Sequence, residues 1–495
     1  MAELKFGWSE VDITPGKGTK IGLAGQFFER ITDEVESHIS VTALTIDSGS
    51  DYVIMCACDL VAVSENLNIL VKEKLAKNGM VNPKKVILSA IHTHTSYIYK
   101  RKTSIAKVNP KQYLQSIIPE DMAYKPLVSN EKGMDPNDAL EFLANKIVEA
   151  VLLSWENREQ GYYRNAFGRA AVGMCRRVCY DDGSALMWGD TNHANFTELE
   201  GGNDNGIELI FVYDKNKKIT GVVANIACPA QVVEHRSYIS SDYWGKVKDN
   251  LRKEYGEEVF VLGLCSAAGD QCPRDMIRWV EPESYIDDPN IKRDTVLERN
   301  ADPSMFDISG LKVVGRRISS EIIAVHEELN SEYKDQAELI HETANITLPL
   351  RRVTKSEYAN AVEMIDKFIE KNRGKTINFD DNAKMHVYSG IIARYELQKT
   401  VNTFEIETHF IRFGDIAIAT NPFELFLDYG NQIRARSKAK QTFLIQLACG
   451  AYGYLPTEKA EKGSHYSAYV SSGYVGHEGG NLLVRKTIDT INKMF

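Results

Sequence analysis

Residues 86–94 read Val-Ile-Leu-Ser-Ala-Ile-His-Thr-His, an apolar run that ends in two histidines. A short apolar run followed at once by polar residues is typical of a β-strand buried on both faces. Four more apolar runs end at residues with side chains that can bind a metal or take part in catalysis, namely Asp59, Cys228, 269–272 and Glu424. The runs that end at Asp59, Cys228 and Glu424 each follow a polar turn and another apolar run, which predicts three hairpins.

Helical periods alternate with these strands. They lie near residues 65–78, 137–156, 242–255, 310–330, 354–372 and 423–437. The alternation predicts an α/β fold with a mixed β-sheet core and flanking helices. In open sheets of this class ligands bind beyond the carboxyl ends of the strands, so the polar strand ends predict one shared site. We expect a single large domain over residues 1–495, with loop-rich insertions near 97–135 and 274–309.

The composition is that of an ordinary globular protein. The chain has 495 residues, of which 43% are hydrophobic and 26% charged, with a formal net charge of −9. The chain is acidic overall and shows no basic stripe, so nucleic acid is not an expected partner. No apolar run approaches the ~20 residues of a membrane span. The start of the chain lacks a secretory pattern, and the 8 cysteines are scattered in apolar contexts, which predicts a cytoplasmic protein with reduced thiols.

The histidine pair and the carboxylate at the strand ends are candidate metal ligands. Alternate residues of an extended chain point to opposite sides, so His92 and His94 reach one ion only if the chain turns there. The alternative is a polar loop with two solvated histidines. Glu424 is either a ligand or an acid favoured by the dipole of a first helical turn. Two tyrosines at 452 and 454 either aim a phenol at the site or pack in the core.

A turn of small residues at 265–274 crowds three reactive groups together. Asp270, Cys272 and Arg274 fall within five residues of one another. The Cys272 thiol is a candidate nucleophile, proton donor or ligand, and a nearby cation would favour its thiolate. The alternative is a buried thiol beside a capped turn.

Taken together and in this order, the motifs resemble the N-terminal catalytic domain of the neutral/alkaline ceramidase family. The landmarks are residues 11–15, the strand that ends in Asp59, residues 92–94, Arg176-Arg177, residues 239–245 and 269–273, the Pro-x-Glu at Glu424, and residues 452–457. The resemblance spans almost the whole chain. It implies the fold of that catalytic domain without the family's C-terminal β-sandwich, and a zinc amidase activity with one Zn²⁺ per chain.

The resemblance also implies site residues. The zinc ligands would be His92, Glu424 and Tyr454, with Tyr452 as the other choice for the phenol. The position of the family's second histidine holds Cys228, followed by proline, and either this thiolate or His235 would complete the ligand set. The slot of the catalytic serine holds Cys272, in the same motif as Asp270.

Our leading hypothesis is a zinc-dependent hydrolase of an amide, ester or related acyl bond. The metal would activate water, His94 would move a proton, and Asp59 would orient an imidazole. Arginines recognise anions, so the substrate is predicted to be small, soluble and polar rather than ceramide. The candidate arginines are Arg176, Arg177 and Arg274, for which surface ion pairing is the alternative.

Two other hypotheses stay open. The altered positions Cys228 and Cys272 are compatible with a metal-dependent lyase or isomerase acting on a sugar-like substrate. They are also compatible with a non-catalytic relative that only binds a ligand. A homo-oligomer is possible in each case, because a mixed sheet can leave exposed edges.

Overall fold

The computed structural model describes residues 3–26, 28–103, 105, 117–122, 131–278, 308–377 and 379–495. Much of the two predicted insertions therefore lies outside the described residues. The single-domain assignment stays a prediction.

The strands alternate with helices along the chain, as the sequence pattern predicts. In the described residues the strands are β1 (Lys5–Asp12), β2 (Ile21–Gly22), β3 (Ile31–Thr32), β4 (Ser40–Asp47), β5 (Tyr52–Cys58), β6 (Val86–Ala90), β7 (Glu159–Cys175), β8 (Arg177–Tyr180), β9 (Ala185–Met187), β10 (Phe196–Leu199), β11 (Asp204–Asp214), β12 (Ile219–Ile226), β13 (Phe260–Cys265), β14 (Gln271–Cys272), β15 (Leu339–Pro349), β16 (Thr403–Phe413), β17 (Ile416–Thr420), β18 (Glu424–Leu425), β19 (Gln441–Ile445) and β20 (Tyr454–Leu455).

Helices flank these strands. They are α1 (Glu65–Asn78), α2 (Pro136–Glu156), α3 (Tyr243–Tyr255), α4 (Ile308–Glu328), α5 (Lys355–Asn372), α6 (Phe379–Leu397), α7 (Leu427–Arg436), α8 (Glu458–Gly463) and α9 (His477–Met494) in the part of the chain that the structure describes. The predicted helix at 423–437 begins later than expected, because residues 424–425 form β18.

The main sheet has the order β13-β12-β11-β7-β1-β4-β5-β6, with β14 also paired to β7. Its pairs are antiparallel except β5 with β6 and β12 with β13, which are parallel. A second sheet has the order β15-β16-β17-β19, in which β17 and β19 are parallel. The three predicted hairpins, β4–β5, β11–β12 and β16–β17, are confirmed. The mixed α/β prediction is confirmed with them.

The principal core lies where the two sheets meet. Phe413 of the second sheet packs with ring centroids 6.5 Å from Phe6 and 4.2 Å from Tyr163 of the main sheet. Trp8 stacks on Phe260 at 5.6 Å. A Cβ at Gly221 would lie 2.4 Å from the Trp8 ring, so this strand position requires glycine. Burial of such large aromatic side chains provides most of the driving force for this packing.

The carboxyl ends of the parallel strand pairs in the two large sheets, β5–β6, β12–β13 and β17–β19, are tied to one another. Ala230 donates a backbone hydrogen bond to Ile91 O (3.2 Å), which connects the segment after β12 to the end of β6. The Gln446 side-chain oxygen accepts from the amides of Ala268 and Leu425, each at 3.0 Å. These contacts join segments that follow β13, β17 and β19. The fold therefore gathers the polar strand ends at one edge, where ligands of such sheets bind.

In the described residues no helix is both long and apolar enough to cross a membrane.

Candidate active site

The two histidines after β6 lie against each other because the backbone turns sharply between them. His92 has φ = 72°, in the left-handed region, which costs a non-glycine residue about 1–3 kcal/mol and is found mainly at functional sites. The turn brings the Nε2 atoms of His92 and His94 to 3.3 Å from each other. The hydroxyl of Thr93, the residue between them, donates to Ser240 O at 2.9 Å. The chain thus makes the turn that a shared site requires.

The partners of the imidazoles assign their protons. His92 Nδ1 lies 2.6 Å from Val61 O, so this nitrogen carries the hydrogen and Nε2 keeps its lone pair. The Gln231 amide oxygen accepts from Arg176 at 3.1 Å, which directs the amide nitrogen to His94 Nε2 at 2.8 Å. His94 Nε2 is therefore an acceptor and its proton is at Nδ1, 3.3 Å from Glu234 Oε2.

Glu424 and Tyr454 complete this group. Glu424 Oε2 lies 3.5 Å from His92 Nε2. Tyr454 lies beside Glu424, and its hydroxyl favours the charged form of that carboxylate. Burial alone would raise the pKa of Glu424, but His92, Arg176 and Tyr454 together hold it below its ordinary value. Burial, and then the neighbouring Glu424, raise the pKa of Tyr454 well above its ordinary value, so the phenol stays protonated.

Of the two candidate tyrosines, Tyr454 is the one beside Glu424. Tyr452 packs edge-on against Phe404, with ring centroids 4.4 Å apart. Burial, and then the nearby Glu65, raise the pKa of Tyr452.

Two residues that the sequence analysis did not single out, Gln231 and Glu234, hold His94. Glu234 faces His94 through one oxygen and His235 through the other, at 3.4 Å. Burial would raise the pKa of Glu234, but its histidine and arginine neighbours lower it to about 2. His235 thus contacts Glu234. In the sequence, the only indication of Gln231 and Glu234 is their position between Cys228 and His235, in the segment after a buried strand.

Cys228 is fully buried in the main core. Its sulfur lies 3.7 Å from Pro229 O. Burial raises the pKa of the thiol well above its ordinary value, and the neighbouring Cys272 and Cys265 add to that rise. In the described residues neither Cys228 nor His235 forms a close group of metal-ligand atoms with His92 and Glu424. The choice between them stays a prediction.

Cys272 and Asp270 lie in the turn after β13, as the sequence order requires. The Cys272 sulfur is 3.3 Å from Arg274 O, and burial raises the thiol pKa to about 12 although Arg176 opposes that rise. Asp270 accepts from the amide of Leu427, at the start of α7, at 2.8 Å. Burial raises the pKa of Asp270 to about 6.

The three candidate arginines are all buried, so the surface alternative for them is wrong. Arg176 donates to Gln231 and, at 3.0 Å, to Gly269 O, which places it beside the histidine group. Arg177 makes two hydrogen bonds to the Glu200 carboxylate, at 2.6 and 3.0 Å, and is committed to that buried pair. Arg274 lies directly after the Cys272 turn.

Asp59 is also buried but contacts other groups. Its carboxylate accepts from the amide of Ser40 at 2.8 Å and lies 3.7 Å from Lys248 Nζ. Burial raises its pKa despite Lys248. The imidazoles take their orientation from Val61 O and Glu234.

A second cluster of ligand-type side chains lies between the middle of β16 and the segment after β19. In the part of the chain that the structure describes, Glu407, His409 and Cys449 are the His, Cys, Asp and Glu residues whose ligand atoms all lie within 4.8 Å of one another. This cluster is a candidate metal site. It does not include His92, Glu424 or Tyr454.

No protein-family model and no curated protein sequence matches this chain. Solved structures do match. One is neutral ceramidase from Pseudomonas aeruginosa, with 14% sequence identity and a TM-score of 0.66 over 100% of this chain and 75% of that one. Another is a ceramidase complexed with C2, with 12% identity and a TM-score of 0.67 over the same shares. The chain therefore has a neutral ceramidase-like fold.

Proposed function

We propose that this protein is a zinc-dependent hydrolase of an amide, ester or related acyl bond in a small polar substrate. The observation that carries the proposal is the set of electron-pair donors around His92. Its Nε2 lone pair faces the Glu424 carboxylate at 3.5 Å, while the Nε2 of His94, 3.3 Å away, accepts from Gln231. Facing acceptors repel unless a proton or a cation lies among them. Imidazole nitrogen and carboxylate oxygen are ordinary zinc ligands.

We assign the ion to His92, Glu424 and Tyr454, with Cys228 or His235 as candidates for a further ligand. The Val61 carbonyl fixes the tautomer of His92 that offers Nε2, which is the usual arrangement around a ligating histidine. A bound zinc ion supplies Lewis acidity and lowers the pKa of its water toward ~7.

His94 suits the role of proton carrier. Its Nε2 accepts a proton, and the Glu234 carboxylate beside Nδ1 stabilises the imidazolium that results. Burial, followed by the nearby His92, lowers the pKa of His94 well below its ordinary value, so the imidazole is neutral when a substrate arrives.

The polar surroundings support a polar substrate. Arg176 is buried beside Glu424, Glu234 and the Cys272 thiol, and its charge acts on all three. A buried guanidinium is suited to bind a carboxylate or to stabilise an oxyanion. The structures with the same fold are named as ceramidases, and a ceramidase hydrolyses an amide bond, which supports an acyl bond as the target. Cys272 and Asp270 border the same region.

The test is the zinc content of the purified protein, measured by atomic emission after gel filtration without chelator. We expect both His92→Ala and Glu424→Gln to contain one equivalent of zinc less than the wild type. The control is His38→Ala, whose side chain is 77% exposed and far less constrained. Equal zinc content in all four proteins would contradict the proposal.

The reaction is tested with N-acetyl amino acids and their methyl esters, which carry the acyl bond and the polar group. Product mass distinguishes hydrolysis, which adds one water, from an isomerisation, which adds none.

A further inference from the structure

We propose that Glu407, His409 and Cys449 form a second binding site for a zinc-type divalent cation, distinct from the His92 group. His409 Nε2 lies 2.9 Å from Glu407 Oε1 and 3.5 Å from the Cys449 sulfur. All three ligand atoms lie within 4.8 Å of one another, a spacing that one ion can bridge. His409 and Cys449 are fully or almost fully buried.

The contacts around His409 need one more proton, as hydrogen bonds, than the neutral side chains supply. His341 Nδ1 lies 3.2 Å from Tyr52 O, His341 Nε2 lies 2.9 Å from His409 Nδ1, and His409 Nε2 lies 2.9 Å from the Glu407 carboxylate. Both ends of this chain are acceptors. Its three contacts need three protons, whereas two neutral imidazoles carry two.

The neighbouring hydroxyl does not supply the missing proton. Thr343 Oγ1 lies 3.2 Å from His409 Nδ1, but it donates to Lys84 O at 2.6 Å. If His341 donates to Tyr52 O, and His409 donates to His341, the bare Nε2 of His409 faces the Glu407 carboxylate. A cation at this point satisfies every contact in the chain.

That arrangement has the form of a metal-bound histidine. A ligating imidazole commonly donates its other N–H to a neighbouring acceptor, which fixes its orientation. Here His341 Nε2 is that acceptor. Zinc binding would replace the thiol proton of Cys449, which leaves to solvent, and the thiolate, imidazole and carboxylate form a ligand set that favours zinc among common divalent ions.

Lys72 limits the charge of the site but does not block it. Its ammonium contacts Glu407. A divalent ion and this ammonium together carry three positive charges, which face the carboxylate and the thiolate. The backbone supports the geometry independently of the ion, because Cys449 has φ = 57° and its amide donates to Leu88 O at 2.8 Å.

The site would fasten the turn that leads to the phenol of the active site. Cys449 lies between β19 and β20, five residues before Tyr454, and Glu407 and His409 belong to β16. An ion held across these segments would fix that turn to the second sheet.

The test is cobalt substitution, because a cobalt–thiolate bond gives an intense near-ultraviolet absorption band. We expect the Co²⁺-loaded full-length protein to show this band. Cys449→Ala should remove the contribution of Cys449 to the band, which is the whole band in the His92→Ala background, and should bind one equivalent of metal less than the wild type. Glu407→Gln, which keeps the thiol, should weaken metal binding about tenfold or more. The control is Cys56→Ala, a buried thiol near the cluster but outside it.

The outcomes separate this site from the proposed active site. A band that persists in His92→Ala and disappears in Cys449→Ala supports the second site, whatever the fate of the hydrolase proposal. A band that is absent from the wild type, or that is as intense in Cys449→Ala as in the wild type, overturns it. If the persisting band disappears in Cys228→Ala, the thiolate belongs to the His92 group instead.

Discussion

Glu424 and Tyr454 are direct partners in a two-stranded parallel ribbon formed by β18 and β20, and the phenol helps to lower the pKa of the carboxylate. The pairing is made by the backbone, with Leu425 and Leu455 as the next pair. Both leucines are buried, which anchors the ribbon in the core. The separation of carboxylate and phenol is therefore set by strand register.

This pairing predicts the effect of Tyr454→Phe. The ring would keep its contact with Tyr466, whose centroid is 5.6 Å away, but the hydroxyl and its interaction with Glu424 would be lost. We expect zinc affinity to fall by about tenfold or more, as measured by competition with a chromophoric chelator. The matched control, Tyr452→Phe, should bind zinc like the wild type. The reverse order of effects would show that Tyr452 serves the metal.

Gln231→Leu is expected to separate metal binding from proton transfer. The substitution removes the donor to His94 Nε2 and the acceptor for Arg176. We expect kcat to fall by about 10²-fold, the range of general acid–base effects, with zinc content unchanged. Steady-state kinetics and metal analysis on the same sample check this. Unchanged kcat would mean that His94 is oriented by Glu234 alone.

Gly25 provides a steric test of the position of His94. A Cβ at Gly25 would lie 2.3 Å from His94 Cγ, and the residue has φ = +96°. We expect Gly25→Ala to reduce activity strongly and to destabilise the fold by about 1–3 kcal/mol. Gly18→Ala is the matched control, because Gly18 has φ = +80° with no atom within 4 Å of its Cβ position. It carries similar backbone strain, so activity lost equally in both variants would contradict a specific effect on His94.

Glu10 predicts a pH dependence of stability. Its carboxylate lies 2.8 Å from Arg252 and 3.1 Å from Lys248. Burial alone would raise the pKa of Glu10, but these cations lower it from 4.5 to about 2. Because the folded pKa lies below the unfolded one, the stabilisation is full above pH 4.5 and is lost as the pH falls toward 2.

The measurement is urea unfolding of Glu10→Gln and the wild type across this pH range. We expect the variant to be less stable by about 1–3 kcal/mol at neutral pH, with the difference shrinking below pH 4.5. Glu73→Gln, an exposed acid on α1, should change stability by less than about 0.5 kcal/mol at any pH. A difference between Glu10→Gln and the wild type that does not change with pH would exclude the ion pairs as its cause.

The fold could be predicted because its strands carry a local signal. Each hairpin shows two apolar runs around a polar turn, and the strands buried on both faces are continuously apolar. The same logic misplaced Glu424, which belongs to β18 rather than to the first turn of a helix. A two-residue strand has no period of its own, and β18 exists only because β20 pairs with it.

The sequence named part of the group around His92 and missed two of its members. His92 and His94 are two residues apart, and the turn between them was recognisable as a requirement. Glu424, Tyr454 and Arg176 followed from the resemblance to a known family. Gln231 and Glu234 lie in an irregular segment, where side-chain direction follows no period. Their contacts with His94 depend on the connection from Ala230 to Ile91, which is tertiary structure.

The strand ribbon that unites Glu424 with Tyr454 has a consequence for synthesis of the protein. His92 emerges from the ribosome early, whereas Tyr454 follows only after the second sheet has been translated. A polypeptide that stops short of Tyr454 thus lacks part of the proposed site, however well its first sheet has formed. We expect a nonsense mutation at any codon up to that of Tyr454 to leave a product without the proposed hydrolase activity.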